Sequence, residues 1–295
     1  MMAQLKNSDI PPVIDGLDEI IDRYDVFFLD VWGVLHDGIE PYPGVIDALK
    51  TMQAKNKIVL LLSNSPCLSH EIADPQNGKV GKMGLVPPLY NHFLTSGDVS
   101  HHYMNTHYDR QKAYVFWDEE DVSAFDGLDL TQVYNIREAD FIYASLLKPG
   151  TAFLDYEDVL TVALDHNVPL VCGNPDRVVG FGSSMNLCVG TLAEWYEKKG
   201  GSVIWFGKPY PAIYQEAWET VGKPDKSRIL MIGDSLVTDV AGATGFGIDV
   251  LWNVTGIHWE ELKQDHAATR IDPARVENAL KGHAMPTGLL HGFKL

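Results

Sequence analysis

Short apolar runs alternate with amphipathic segments along this chain, and this alternation constrains its fold more than any other feature. Continuous runs rich in Val, Ile, Leu and Phe are typical of strands that are buried on both faces of a parallel sheet. The pattern predicts strands at 25–30, 57–64, 112–117, 140–145, 168–174, 202–207, 228–234 and 248–253. It predicts amphipathic helices at 44–55, 151–166 and 211–221. Strands and helices that alternate in this way indicate an α/β fold.

Length and charge limit the domain organisation and the partners. The 295 residues are enough for one large α/β domain or two moderate ones. The net charge of −17 repels nucleic acid and anionic membranes. A phosphorylated small molecule would therefore need a local cation or a metal ion to bind. No apolar run approaches the roughly 18 residues of a membrane-spanning helix, so we expect no membrane segment.

The cysteines and the N-terminal residues predict the compartment. Cys67, Cys172 and Cys188 are odd in number and form no C-x-x-C pair, which predicts free thiols in a reducing environment. A secretory signal has a basic stretch followed by an apolar one. The first twenty residues show no such pattern. We therefore expect a cytoplasmic protein.

Side chains that can bind ligands or react lie at, or just after, the ends of several predicted strands. The strand ends read LDVWG, LLSNS, FGKPYP and IGDSLVTD, and they supply Asp30, Ser63, Lys208, Asp234 and Asp239. Ligands of open α/β sheets bind outside the carboxyl ends of the strands. A nucleophilic carboxylate, a cation and two acids able to hold Mg²⁺ are what phosphoryl transfer to a side chain requires.

These four motifs, in this order, resemble those of the haloacid dehalogenase (HAD) superfamily. The long stretch between Ser63 and Lys208 indicates an inserted domain, the C2-type cap of that superfamily. Within it CGNPDRV resembles the TNPD stretch of the IIA branch, and FLTSGDVSHHYM and WNVTGIHWEEL also resemble that branch. The resemblance implies a Rossmann-like, doubly wound parallel sheet with a smaller α/β cap. It places the core at 1–108 and at 203–295, which includes the C-terminal tail, and the cap at 109–202.

The resemblance also implies a nucleophile and a metal site. Asp30 would attack phosphorus and form an aspartyl-phosphate. The cofactor would be Mg²⁺, held by Asp30, the backbone carbonyl of Trp32 and Asp234. Asp239 would complete the site, either as a ligand or by orienting a metal-bound water.

The remaining family roles concern the substrate. Ser63 and the backbone amide of Asn64 would hold the phosphoryl oxygens, and Lys208 would neutralise Asp30 and the transferred group. Asn174 and Asp176 of the cap would reach the substrate, although the Asn-Pro-Asp sequence is equally typical of a plain turn.

Trp32 departs from the family pattern. Phosphatases of this family have a second Asp two residues after the nucleophile, which protonates the leaving oxygen and later deprotonates water. An indole N–H does not titrate usefully, and loss of a general acid–base typically costs about 10²–10⁴-fold in rate. His36 and Asp37 are alternative acids, unless Asp37-Gly38 is only a turn and His36 only packs. Because the metal ligands are retained, we expect an altered site rather than a dead one.

Three functions follow from these residues. The first is a Mg²⁺-dependent phosphatase of a small phosphorylated metabolite, of the sugar phosphate, nucleotide or pyridoxal phosphate class. The second is a binding or regulatory module that keeps the phosphate pocket without useful turnover. The third is a dehalogenase-type hydrolase, which has no need of Mg²⁺. The apolar, Gly-containing C-terminal tail either packs on the core or forms a homodimer contact.

Overall fold

The computed structural model describes residues 10–116, 122–148, 150–181, 184–264 and 270–295. The chain forms two compact units. The first unit comprises the described parts of Met1–Leu62, Ala73–Phe93 and Tyr214–Leu295. The second unit comprises the described parts of Ser63–Ile72 and Leu94–Ile213. The predicted cap range 109–202 falls within the second unit, and its exact limits stay a prediction.

The strands of the described residues are short. They are β1 (Val13–Ile14), β2 (Val26–Leu29), β3 (Ile58–Ser63), β4 (His92–Thr95), β5 (Lys112–Val115), β6 (Thr131–Val133), β7 (Phe141–Ala144), β8 (Leu170–Cys172), β9 (Val178–Phe181), β10 (Ser184–Leu187), β11 (Val203–Trp205), β12 (Ile229–Gly233), β13 (Asp249–Asn253) and β14 (Gly288–Leu290).

The α-helices range from single turns to three turns. They are α1 (Val45–Ala54), α2 (Ser69–Ala73), α3 (Lys79–Lys82), α4 (Ser96–His107), α5 (Leu154–Asp165), α6 (Val189–Lys198), α7 (Pro211–Thr220), α8 (Ala241–Phe246), α9 (Trp259–Leu262) and α10 (Pro273–Leu280). No helix in the described part of the chain is both long and apolar enough to cross a membrane.

The sheet of the first unit has the order β1-β14-β13-β12-β2-β3-β4. Every neighbouring pair from β1 to β3 is parallel. All four residues of β2, which lies between β12 and β3 in this sheet, are buried, as the continuous apolar run predicts. Non-consecutive strands such as β12 and β2 are neighbours, so helical crossovers must connect them. The predicted doubly wound, parallel α/β architecture is confirmed.

The second unit is built on a five-stranded sheet of order β11-β8-β7-β5-β6, all parallel, with a separate antiparallel pair, β9 and β10. Helices α5 and α6 pack on this sheet through a buried apolar cluster that includes Ile142, Leu160 and Leu192. Burial of such side chains contributes about 1.5–3 kcal/mol each. The buried hydroxyl of Tyr196 donates to the carbonyl of Val168, so this polar group is satisfied inside the core.

The eight strands predicted from apolar runs are all present, each with slightly narrower bounds. Trp117, the last residue of one predicted strand, lies outside the described residues. The apolar-run pattern missed β1, β4, β6, β9, β10 and β14. Strand β14 decides one open alternative, because it pairs with β13 and β1 and therefore places the C-terminal tail in the sheet of the first unit. A homodimer stays a prediction.

Candidate active site

Asp30 and Asp234 follow neighbouring strands of the first unit. Asp30 comes directly after β2, and its backbone N–H donates to the carbonyl of Ile232 in β12 at 2.9 Å. Asp234 comes directly after β12. Because Leu29 and Ile232 are in register in a parallel pair, both carboxylates emerge at the same sheet edge. The predicted strand-end placement of these acids is what the structure shows.

Asp239 joins these two acids in a buried cluster. One carboxylate oxygen from each of Asp30, Asp234 and Asp239 lies within 4.8 Å of the other two, and all three residues are buried. Two unit charges at this separation repel by roughly 3–4 kcal/mol at an effective dielectric constant of 20. A cation removes that repulsion, and hard oxygen donors are the ligands that Mg²⁺ prefers. The donor set therefore fits the predicted magnesium ion.

Backbone hydrogen bonds orient the carboxylates of Asp234 and Asp239. The Oδ2 atom of Asp234 accepts from the backbone N–H of Ile257 at 2.9 Å. The Oδ2 atom of Asp239 accepts from the backbone N–H of Ser235 at 3.0 Å. Asp239 lies on a π-helical turn, Leu236–Val240, a feature that is frequent at functional sites. Both carboxylates are thus fixed by the chain around them.

Asn253 positions the loop that follows Asp30, and sequence reasoning missed it. Its Nδ2 atom donates to the carbonyl of Gly33 at 2.9 Å, and its Oδ1 atom accepts from the N–H of Gly292 in the C-terminal tail at 3.2 Å. Asn253 is almost fully buried. A signal existed, because Asn253 is the last residue of β13 and so sits at the strand end where ligand-handling residues gather.

Trp32 is exposed, and it lies beneath a cation. The side chain is 39% exposed, and the Nζ atom of Lys79 is 4.4 Å from the centroid of its indole ring. Partial desolvation lowers the pKa of Lys79, since burial disfavours the charged form. Nothing in the spacing of the motifs indicated Lys79. The metal-ligand role of the Trp32 carbonyl stays a prediction.

The two alternative acids have other roles in the first unit. His36 is buried, and its Nδ1 atom accepts from the N–H of Gly38 at 2.9 Å. Desolvation, and then the charge of Lys79, lowers the pKa of His36 to about 4. A neutral imidazole at pH 7 is a poor proton donor, so this disfavours His36 as the acid.

Asp37 builds a turn. Its Oδ1 atom accepts from the backbone N–H groups of Ile39 and Glu40 at 2.8 and 2.9 Å. Hydrogen bonds from Glu40 and Ile39 lower the pKa of the exposed Asp37 carboxyl. The turn interpretation of Asp37 is therefore the one that the contacts favour.

Asn64 organises a second polar cluster, in the second unit. Its Oδ1 atom accepts from the backbone N–H of Lys208 at 2.6 Å, and its Nδ2 atom donates to the carbonyl of Lys208 at 3.0 Å. The same Nδ2 atom donates to Oδ1 of Asp176 at 2.9 Å. Lys208 is 2% exposed. This clamp brings together residues from three predicted motifs that are far apart in the sequence.

The Asn-Pro-Asp loop and Ser63 belong to the same unit. The Oδ1 atom of Asn174 accepts from the N–H of Asp176 at 3.1 Å, which is a local turn contact. The Oγ atom of Ser63 accepts from the N–H of Ser65 at 3.2 Å. A Cβ atom at Gly207 would lie 2.7 Å from Cδ of Pro175, so the loop and the strand end are closely packed. Substrate binding by Ser63, Asn174 and Asp176 stays a prediction.

Comparison with known proteins gives the family. A family model described as haloacid dehalogenase-like hydrolase matches residues 27–131, and a second HAD-hydrolase-like model matches residues 205–281. A solved structure of a haloacid dehalogenase-like family hydrolase from Brucella suis 1330 is 32% identical. The alignment covers 95% of this chain and 99% of that one, with a TM-score of 0.79. The chain belongs to the haloacid dehalogenase-like hydrolases.

Two further relatives of this HAD-like hydrolase are named by their activity. A 4-nitrophenylphosphatase of Schizosaccharomyces pombe is 42% identical over 53 residues, and this match spans only 18% of each chain. A glycerol phosphate phosphatase from Mycobacterium tuberculosis, solved with magnesium, is 19% identical with a TM-score of 0.66. That alignment covers 87% of this chain and 78% of the other. The 32% identical structure from Brucella suis confirms the predicted superfamily, and the 4-nitrophenylphosphatase match agrees with the predicted IIA branch.

Proposed function

We propose that this HAD-like hydrolase is a Mg²⁺-dependent phosphatase of a small phosphorylated metabolite. The observation that carries the proposal is the buried cluster of Asp30, Asp234 and Asp239 at the carboxyl edge of the first unit's sheet. Three buried carboxylates do not stabilise a fold by themselves, because desolvation and mutual repulsion are both unfavourable. Their arrangement is explained by a bound cation. The names of the relatives support a phosphate substrate.

Asp30 is the nucleophile in this proposal. A carboxylate oxygen of Asp30 forms a bond to phosphorus while the bond to the leaving oxygen breaks, which gives an aspartyl-phosphate and the dephosphorylated product. Water then cleaves the acyl phosphate, releases inorganic phosphate and regenerates Asp30. Bound Mg²⁺, held by Asp30, Asp234, Asp239 and the Trp32 carbonyl, supplies charge neutralisation of the phosphoryl oxygens.

The other predicted residues act on the phosphoryl group in the same proposal. Ser63 and the amide of Asn64 hold its oxygens, while Lys208 neutralises its charge. Asn174 and Asp176 contribute to substrate binding. The clamp between Asn64 and the backbone of Lys208 supports this scheme, because it holds two of these residues in one rigid arrangement.

A binding module is the second candidate, and Trp32 is the observation that favours it. An exposed indole two residues after Asp30 offers a stacking surface but no proton. Turnover distinguishes a phosphatase from a binding module. A binding module would bind phosphorylated compounds without releasing phosphate, whereas a phosphatase would release it on each turnover.

Phosphate release from a panel of aryl, acyl, sugar and nucleotide phosphates tests the proposal, with Mg²⁺ and with chelator. We expect release that requires Mg²⁺ and that Asp30→Asn abolishes without unfolding the protein, because the amide is a poor nucleophile. Asp47→Asn, on the exposed surface of α1, makes the same chemical change away from the site and should leave turnover intact. Full activity in chelator would instead support the dehalogenase-type hydrolase. Binding without any release would support the module.

A further inference from the structure

A pocket in the first unit lies beside the Lys79 side chain that contacts Trp32. It has a volume of about 500 Å³ and is lined by Ile39, Glu40, Pro41, Asn77, Lys79, Lys82 and Met83. Lys79 belongs both to this lining and to the cation–π contact with Trp32. A Cβ atom at Gly38 would lie 3.3 Å from the indole and 3.8 Å from the Lys79 ammonium. The backbone just before Ile39 therefore packs close to both groups. Lys79 therefore connects the indole to the pocket.

The charge of this pocket is opposite to that of the molecule. The chain has 40 acidic and 23 basic residues, yet two ammonium groups, those of Lys79 and Lys82, line one small pocket with a single carboxylate, Glu40. None of the ion pairs between described residues includes Lys79 or Lys82. The charge of Lys82 contributes, after two backbone hydrogen bonds, to the lowered pKa of the nearby Asp74 carboxyl. In a chain so rich in acids, two lysines that converge outside these ion pairs are available to an anionic ligand.

The covalent connection to the nucleophile suggests which ligand this is. Trp32 is two residues from Asp30, and two residues of extended chain span at most about 7 Å. The Cα atoms of Asp30 and Trp32 are therefore close, and the indole of Trp32 contacts Lys79. A molecule whose phosphate meets Asp30 would extend its remaining part over the indole toward the two lysines. Apolar side chains of Ile39 and Met83 line the same pocket and suit a carbon linker.

We infer that the pocket of Lys79 and Lys82, beside Trp32, is a subsite for a second anionic group on the substrate, a carboxylate or a second phosphate. The inference rests on the proposed function and names the substrate class, which is a small bis-anionic phosphate ester. In this arrangement Trp32 is a specificity residue in contact with the leaving group. Lys79 and Lys82 bind the distal anion, and Glu40 weakens its binding.

Calorimetric binding of non-hydrolysable phosphonates, in the presence of Mg²⁺, tests this inference without turnover. The probes are ω-carboxyalkyl phosphonates of increasing chain length, their neutral ω-amide counterparts and alkyl bisphosphonates. We expect one chain length at which the second anion raises affinity by about tenfold over the amide, the order expected for charge-assisted contacts to two ammonium groups. Comparison of the carboxylate with the bisphosphonate series identifies the preferred anion.

Three variants test whether the charges of this pocket cause the preference for the anionic probe over the amide. Lys82→Gln, which leaves the contact with Trp32 untouched, should reduce the preference for the anion over the amide by about threefold, since exposed charge pairs are individually weak. Glu40→Gln should increase that preference. Lys50→Gln, on the exposed surface of α1, makes the same charge change as Lys82→Gln and should have no effect.

The outcomes separate this inference from the proposed function. If simple alkyl phosphonates bind but no chain length favours the anion, the subsite is overturned and the phosphatase proposal stands. If the preference exists and Lys50→Gln reduces it as much as Lys82→Gln, it reflects net charge rather than a site, and the subsite is overturned. If the anion-bearing probes bind through Lys82 and the panel shows no phosphate release, the subsite stands and the phosphatase proposal falls. If no probe binds, both are overturned.

Discussion

The backbone of Gly33 lies directly against the carboxylate of Asp234. A Cβ atom at Gly33 would be 1.8 Å from Oδ2 of Asp234, and Gly33 has a φ of +83°. No other residue fits there without moving the carboxylate, and left-handed backbone is itself unfavourable for residues with a Cβ atom. The turn after the nucleophile and the second acid of the cluster are therefore shaped around each other. Trp32 directly precedes Gly33 in the sequence.

Gly33→Ala should impair metal binding more than folding. The added methyl group displaces the Asp234 carboxylate, while the conformational cost alone is about 1–2 kcal/mol. The measurement is the increase in melting temperature that Mg²⁺ produces, since a ligand stabilises only the state that binds it. We expect this increase to be lost in the variant.

Gly282→Ala is the matched control for that prediction. Gly282 has a similar φ of +80°, but a Cβ atom added there would meet nothing within 4 Å. It should lose comparable stability through strain and keep the full response to Mg²⁺. Equal Mg²⁺ responses in both variants would mean that Asp234 does not hold the ion.

Trp32→Asp should change the preference for leaving groups. If the missing acid is the only chemical defect, the wild-type protein favours aryl and acyl phosphates, and alkyl phosphates are slower by about 10²–10⁴. The variant restores a carboxylate two residues after Asp30, so the rate on alkyl phosphates should rise more than the rate on aryl phosphates. The ratio of the two kcat/KM values is the measurement, because damage to the fold lowers both equally. An unchanged ratio in a folded variant would indicate that the indole shapes a binding pocket.

Trp32→Phe is the control for the loss of ring contacts. It keeps an aromatic face beneath Lys79 but adds no acid, and a phenyl ring binds a cation less well than an indole. Its ratio of alkyl to aryl rates should equal that of the wild-type protein.

The three cysteines should differ sharply in reactivity toward a thiol reagent at pH 8. None of these three described cysteines forms a disulfide bond, which agrees with the predicted thiol state. Burial is the main cause that raises the pKa of Cys188 to about 12, and it raises that of Cys172 further. At pH 8 only about 10⁻⁴ of a thiol with that pKa is ionised, and the thiolate is the reactive form. Cys67 is half-buried, so it should react first and account for the labelling of the folded protein.

Mass spectrometry of the labelled chain and a pH series check this prediction. Cys67→Ser should abolish the fast phase, and guanidinium should expose the other two thiols. Because the pKa of Cys188 is raised, its labelling in the folded state should become about tenfold faster for each unit by which the pH is increased, up to about pH 12. Fast labelling of Cys188 at pH 8 would show that its unit opens readily.

Local patterns in the sequence were sufficient for the buried strands and for the acids that follow them. A strand covered on both faces needs a continuous apolar run, whatever its neighbours are, so β2, β3 and β12 could be recognised one at a time. The same local pattern shows where each run ends in a polar residue. Asp30 and Asp234 can be recognised in this way without the strand order.

Short strands could not be recognised, because their state depends on partners that are distant in the sequence. Strand β1 has two residues and β14 has three, and the two pair with each other across almost the whole chain. Neither has enough apolar residues to show a period of its own. The place of the C-terminal tail in the sheet therefore became evident only from the fold.

The site shows the same division between local and long-range information. The sequence determined which acids end their strands, and the tertiary structure decided that β12 lies beside β2, which brings Asp30 and Asp234 together. The contact between Lys79 and Trp32 was likewise decided by the fold, since 46 residues of chain (79 − 32 − 1) separate the indole from a lysine that belongs to no motif. Such contacts depend on how several elements pack at once, and no local pattern of residue types records that packing.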